Sequence, residues 1–172
     1  MPAKRTRKYS YAYRNKSIAK ILGRRKTGKK HKGYNSHHTN KHHCELLRSK
    51  NEKIVTMFLQ ILNTVKLYHW KTNSYSQHKA TDELYSNLNE HIDKFVEVLL
   101  GKEETRIHMV CKKLDLFDAT NKPEYKQRIY EFRDFLISLN DIFSQKQDTD
   151  LLNIRDEILG NINQFLYLMT FE

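Results

Sequence analysis

Four amphipathic stripes separated by a short, a long and a short connection constrain this chain more than any other feature. In the first, Leu47, Ile54, Phe58, Ile61, Val65 and Tyr68 recur at spacings of three, four or seven, the signature of a helix with one apolar face. Ser49 with Glu52 makes a capping-box pattern inside this run, so two starts are open, one near Asn40 and one at Ser49. After Trp70 the polar run KTNSYS breaks the stripe, and Ser74 with Gln77 offers a second capping box. The next helix is expected to run to about Leu100, with Gly101 as its stop because glycine readily takes the left-handed conformation. Residues 102–121 show no helical stripe and read as a short extended piece or a crossover.

Pro123 in a first turn opens a third helix, with Tyr125, Ile129, Phe132, Leu136, Leu139 and Phe143 inward. SQKQDTD is a turn, and Asp148 or Asp150 caps a fourth helix with Leu151, Ile154, Ile158, Ile162, Phe165 and Met169 inward. Short links make antiparallel hairpins of the first pair and of the last pair. The roughly 20-residue link between the second and third helices is long enough to cross a bundle end to end. The expected fold is therefore all-α, a four-helix bundle of the ferritin-like arrangement over residues 44–172, behind a basic tail over residues 1–43.

Charge is divided as sharply as hydrophobicity. Residues 1–50 hold 16 Lys/Arg against the single acid Glu45, whereas residues 51–172 hold 15 bases and 19 acids. Apart from the short segment Ser17 to Leu22, the tail has no apolar periodicity and cannot build a core. It suits a polyanion, because each neutralised phosphate releases counterions. The phosphate candidates are Lys4, Arg5, Arg7, Lys8, Arg14, Lys16, Arg24, Arg25, Lys26, Lys29, Lys30 and Lys32. Tyr9, Tyr11 and Tyr13 could stack on exposed bases or pack on a protein partner. GRRKTGKKHK also reads as a nuclear-import-like cluster, and His31, His37, His38, His42 and His43 form a polar, pH-sensitive run.

Two cysteines, Cys44 and Cys111, in a chain long enough to need no staple point to a reducing compartment, cytoplasm or nucleus, or to the inside of a virion, and away from secretion. No apolar stretch is long enough for a membrane span, so no membrane partner is expected. An organelle transit peptide stays open.

The second helix carries the chemistry. His78 and Asp82 lie four apart, as do Asp93 and Glu97, and Asp82 to Asp93 is eleven residues, close to three turns. All four project within about 100° of one another, opposite Leu84, Leu88, Phe95 and Leu99. Asp82 and Asp93 are roughly 16 Å apart along the axis, too far for one metal centre. Two copies packed antiparallel about a two-fold axis near Asn87 and Leu88 bring Asp82 to Asp93 and His78 to Glu97, twice. Imidazole with carboxylate suits iron, with manganese and zinc as further candidates. A polar stripe on a surface helix is more often simply solvated.

The segment HWKTNSYSQHKATDELYSNLNEHIDKFVEVLLG resembles the signature of the Dps proteins, members of the ferritin-like superfamily, and DTDLLNIRDEILGNINQFLYLM is similar to their last helix. The resemblance covers about residues 44–170, and its style is closest to ferritin-like proteins of bacteriophages and large DNA viruses. It implies His69, His78 and Asp82 as metal ligands from one subunit and Asp93 and Glu97 from its two-fold mate. It also implies oxidation of ferrous iron by peroxide or dioxygen, a homodimer within a larger shell, and nucleic-acid binding through the basic terminus. The interval from His69 to His78 is nine residues, about three shorter than in that family. Trp70 is expected to pack or to shield the site, and His91 to be hydrogen-bonded structure. The rival reading is a non-catalytic virion or nucleoid component whose basic arm binds genome or neighbouring virion proteins.

Overall fold

The computed structural model describes residues 49–171, so the basic segment with its phosphate candidates, the His-rich run, Cys44 and Leu47 lie outside the described residues. Four α-helices and one 3-10 turn account for the regular structure, with no strand among the described residues. They are α1 (Lys50–Lys71), α2 (Tyr75–Lys102), α3 (Lys122–Ser138) and α4 (Thr149–Leu168), and the 3-10 turn is Leu139–Asp141. No helix is long and apolar enough to cross a membrane among the described residues.

Three of the four starts carry a side-chain cap, whereas at α4 Asp148 holds the N-cap position without a cap bond, its carboxylate accepting from Ser144 N at 2.8 Å instead. Ser49, Ser74 and Asn121 are N-caps whose side chains accept from the backbone N–H three residues on, satisfying donors a helix leaves orphaned. Only half of the first capping box forms. The Glu52 side chain, instead of returning to Ser49, is fully buried and accepts from Cys111 N at 3.0 Å, which pins the α2–α3 connection to α1. Pro123 sits in the first turn of α3, where its missing N–H costs nothing.

The end of α2 corrects the sequence expectation. Gly101 lies inside the helix, and the left-handed position is Glu104, at φ 49°. Thr105 N–H donates to Leu100 O at 3.1 Å and Glu104 N–H to Gly101 O at 3.3 Å, the paired bonds of a Schellman ending. The third helix also ends earlier than its stripe suggests. Leu139 and Phe143 are buried but belong to the 3-10 turn and the loop beyond it.

Contacts at the helix ends set the topology. Lys50 at the start of α1 meets Glu103 just after α2 at 2.9 Å, Lys71 at the end of α1 meets Asp118 just before α3 at 2.7 Å, and Lys102 meets Asp148 and Asp150 at 3.0 and 2.9 Å. Helices α1 and α4 therefore run one way, and α2 and α3 the other. Parallel α2 and α3 require a connection that travels the length of the bundle, and residues 103–121 make that journey. Hydrogen bonds from Lys50 and Asn51 hold the Glu103 carboxyl below its ordinary value, and the Lys102 ammonium does the same for Asp150. Depressed carboxylates favour the folded state above the ordinary range, and that preference fades as the pH falls below about 4.

One core joins all four helices, and the inward residues read from the stripes are buried wherever the structure describes them. Near the α1 C-terminus, Tyr125 stacks on Tyr68 with ring centroids 3.8 Å apart. The Tyr125 hydroxyl is buried and has no hydrogen-bond partner among the described residues. Burial pushes its phenol well above the usual tyrosine range. A raised folded-state pKa leaves stability intact below about pH 10 and erodes it as the pH climbs further. Tyr125→Phe should therefore raise unfolding free energy by about 1 kcal/mol at neutral pH and flatten the alkaline decline, as measured by urea titration at the two pH values.

Candidate metal centre

His69 lies in the last turn of α1 and His78 in the first turns of α2, and the turn between them folds the two rings onto each other. Their centroids are 3.9 Å apart with planes inclined by 24°. The short nine-residue interval thus brings the histidines together. His69 Nδ1 is 3.1 Å from the His78 carbonyl oxygen, and His78 Nδ1 is 3.2 Å from the His69 carbonyl oxygen. A carbonyl can only accept, so in both rings Nδ1 carries the proton and donates. In the neutral rings the lone pair then sits on Nε2, the tautomer that a backbone-tethered metal ligand takes.

Thr81, fully buried, reinforces this choice. Its hydroxyl donates to Gln77 O at 2.7 Å and, as an acceptor, lies 3.2 Å from His69 Nδ1. Thr81 was not foreseen as part of the site. A polar residue on the stripe that continues to Leu84 and Leu88, three positions after His78, was the available signal.

His69 is buried, with a side chain 8% exposed, and its Nε2 is 3.9 Å from Asp82 Oδ1. The Asp82 side chain is 59% exposed. His69 therefore lies beside both His78 and Asp82. Asp93 and Glu97 lie farther along the exposed side of α2 and do not join them within the chain. Among the described residues no three His, Cys, Asp or Glu side chains are arranged to hold a metal ion. His91 packs toward α4, with Nδ1 3.4 Å from Glu157 Oε2, away from the other histidines.

Trp70, expected as packing or shielding, is 69% exposed in the single chain. Its ring lies 5.7 Å from the Lys66 ammonium, which is also 4.7 Å from the Tyr85 ring. Leu59 and Tyr75 are exposed too, on α1 and at the start of α2. An apolar and aromatic surface thus lies on the two helices that carry His69, His78 and Asp82.

Charge is segregated between helix pairs. On α2 and α4, Asp82, Glu83, Glu90, Asp93, Glu97, Asp150, Asp156 and Glu157 are all exposed, against the exposed bases Lys79, Lys94 and Lys102. On α1 and α3 the balance reverses, with Lys50, Lys53, Lys66, Lys71, Lys122, Lys126, Arg128 and Arg133 against Glu52, Glu124, Glu131 and Asp134. One helix pair attracts cations and the other attracts anions.

A family described as a family of unknown function (DUF5856) matches residues 69–169, a span that contains His69, His78, Asp82, Asp93 and Glu97. No curated protein matches the chain, and no solved structure matches it.

Proposed function

The chain belongs to DUF5856, a family of unknown function, and for it we propose a ferritin-like, Dps-like role: iron binding and oxidation at a centre shared between two copies, combined with nucleic-acid binding by the basic N-terminal segment. The observation that carries the reading is the His69–His78 pair. Two histidines tethered through Nδ1, with Nε2 left for a ligand and Asp82 alongside, form the donor set of half a metal site.

Imidazole and carboxylate are donor types that suit iron, manganese or zinc, and because no three of them converge among the described residues of one chain the reading needs a second copy. His69 and His78 supply nitrogen, Asp82 supplies oxygen, and Asp93 and Glu97 of a second copy supply the remaining carboxylates. Ferrous iron would be the substrate, giving electrons to peroxide or dioxygen. Thr81 and the two carbonyls keep the histidine protons on Nδ1 and fix the ring orientation. The end-to-end connection between α2 and α3 supports the ferritin-like arrangement. The division of charge is compatible with cations meeting the acidic α2 and α4 surface and phosphates meeting the segment bearing Lys4, Arg5, Arg24, Arg25 and Lys26.

Asp82→Ala and Glu97→Ala should each lower iron-dependent oxidation at least about tenfold, followed by the absorbance of the ferric product after anaerobic loading. Unchanged rates in both variants would remove the site and leave the non-catalytic virion or nucleoid reading.

A further inference from the structure

We propose that the end of the bundle where α1 and α4 finish and α2 begins is a stacking surface for single-stranded nucleic acid, with Trp70 and Tyr75 as the base-stacking rings and Lys66 and Lys79 as the phosphate contacts. The proposal goes beyond the reading of the N-terminal segment and rests on described residues alone. Four aromatic residues are exposed among the described residues, Trp70, Tyr75, Tyr167 and Phe171, at 69%, 76%, 62% and 51%. Because α1 and α4 run one way and α2 the other, the last turn of α1, the first of α2 and the end of α4 share one end of the bundle, and all four rings belong to it. Single exposed apolar side chains need no explanation, whereas this concentration at one end marks a contact surface.

Charge at this end selects the partner. The first turn of α2 holds no acid, and residues 160–171 at the end of α4 hold no charged side chain. The exposed acids of α2 begin only at Asp82, about 10 Å along the helix from Tyr75. Lys71 is taken up by Asp118 at 2.7 Å, but Lys66 and Lys79 make no ion pair among the described residues and lie beside rings instead, Lys66 at 5.7 Å from Trp70 and Lys79 at 5.9 Å from Tyr75. Each of these exposed rings thus has an unpaired ammonium next to it, a π-face for a base beside a cation for the adjoining phosphate. A purely apolar partner would have to desolvate both ammoniums without compensation. A duplex hides its base faces in the stack, so only a single strand can lay bases on Trp70 and Tyr75. The rings lie roughly 30 Å along α1 from Ser49, where the basic N-terminal segment joins the bundle, so this surface and that point of attachment are at opposite ends.

Trp70 is the sole tryptophan of the chain, so its emission reports on this surface. The full chain is titrated with a labelled oligothymidylate of about 12 nucleotides or with a duplex of the same length, while Trp70 emission and the polarisation of the label are followed together. The expected result is quenching of Trp70 by the single strand and not by the duplex. Tyr75→Ala should weaken the quenching titration about tenfold, and Lys79→Gln should lower its logarithmic salt slope by roughly 0.7, with thermal unfolding unchanged because both side chains are exposed. A rise in polarisation with unchanged Trp70 emission, equal quenching by the duplex, or titrations that ignore both substitutions overturns the inference and leaves binding by the N-terminal segment standing. No change in polarisation with either nucleic acid overturns both. Emission that shifts with protein concentration and not with oligonucleotide assigns the surface to a contact between copies and overturns the inference as well.

Discussion

Phe58→Ala should lower the unfolding free energy by about 3–5 kcal/mol, because truncating a buried aromatic loses its transfer energy and leaves a cavity. Phe58 is 2% exposed and sits where α1 meets two other helices. Its ring packs edge-on against Phe95 of α2 at 5.2 Å and Phe135 of α3 at 6.1 Å, and Phe95 in turn meets Phe143 at 5.9 Å. These rings come from three helices and the loop after the 3-10 turn, so no single neighbour can collapse into the space. A loss of this size is a large share of the 5–15 kcal/mol that typical domains possess. Leu59→Ala, at the adjacent but 40% exposed position, should cost far less in the single chain. Urea titrations of both variants separate the cases.

Arg155→Met should cost about 1–3 kcal/mol, although it replaces a charge by an apolar side chain of similar length. Arg155 is 4% exposed in α4, and its guanidinium donates to Leu136 O at 2.9 Å and Asn140 Oδ1 at 3.0 Å. Leu136 is in the last turn of α3, and its carbonyl accepts both from the Leu139 N–H and from the arginine, which ties α4 to the end of the neighbouring helix. Removing it takes away the bonds of a buried guanidinium to Leu136 O, Asn140 Oδ1 and Asp156 Oδ1. Arg155→Lys retains charge but not the planar fork and should recover only part of the loss. The same titration measures it.

Arg155 marks a limit of what periodicity can show. Apolar stripes located the inward faces of all four helices, because burial of Ile54, Leu88, Ile129 or Ile158 depends on spacing alone. A buried arginine or glutamate depends on a partner distant in sequence. Glu52 finds Cys111 and Arg155 finds Leu136 only once the chain has folded. Gly101 misled for a different reason: hydrogen bonds from Glu104 and Thr105 close the helix three residues later, and this offsets the cost of a left-handed glutamate.

The candidate site was legible in part. The four-residue step from His78 to Asp82 predicted a shared face, and the structure adds the stacked His69 ring and the Thr81 contact that set the tautomer. Trp70 was expected to pack, as large aromatics usually do, or to shield the site. Its exposure instead leaves apolar surface beside the half-site. Completion by Asp93 and Glu97 was inferred from symmetry, since their distance from Asp82 along α2 keeps them apart in any single copy.

Subunit complementation tests the shared centre most directly. Chains carrying Asp82→Ala and chains carrying Asp93→Ala are unfolded together, refolded as a mixture and assayed for bound metal. Each variant alone should bind almost none. In a mixed pair the intact Asp82 of one copy faces the intact Asp93 of the other, which restores one of two centres. Random pairing then predicts about one quarter of the wild-type metal content. A mixture that binds no more than the separate variants would contradict a centre built from Asp82 of one chain and Asp93 of another.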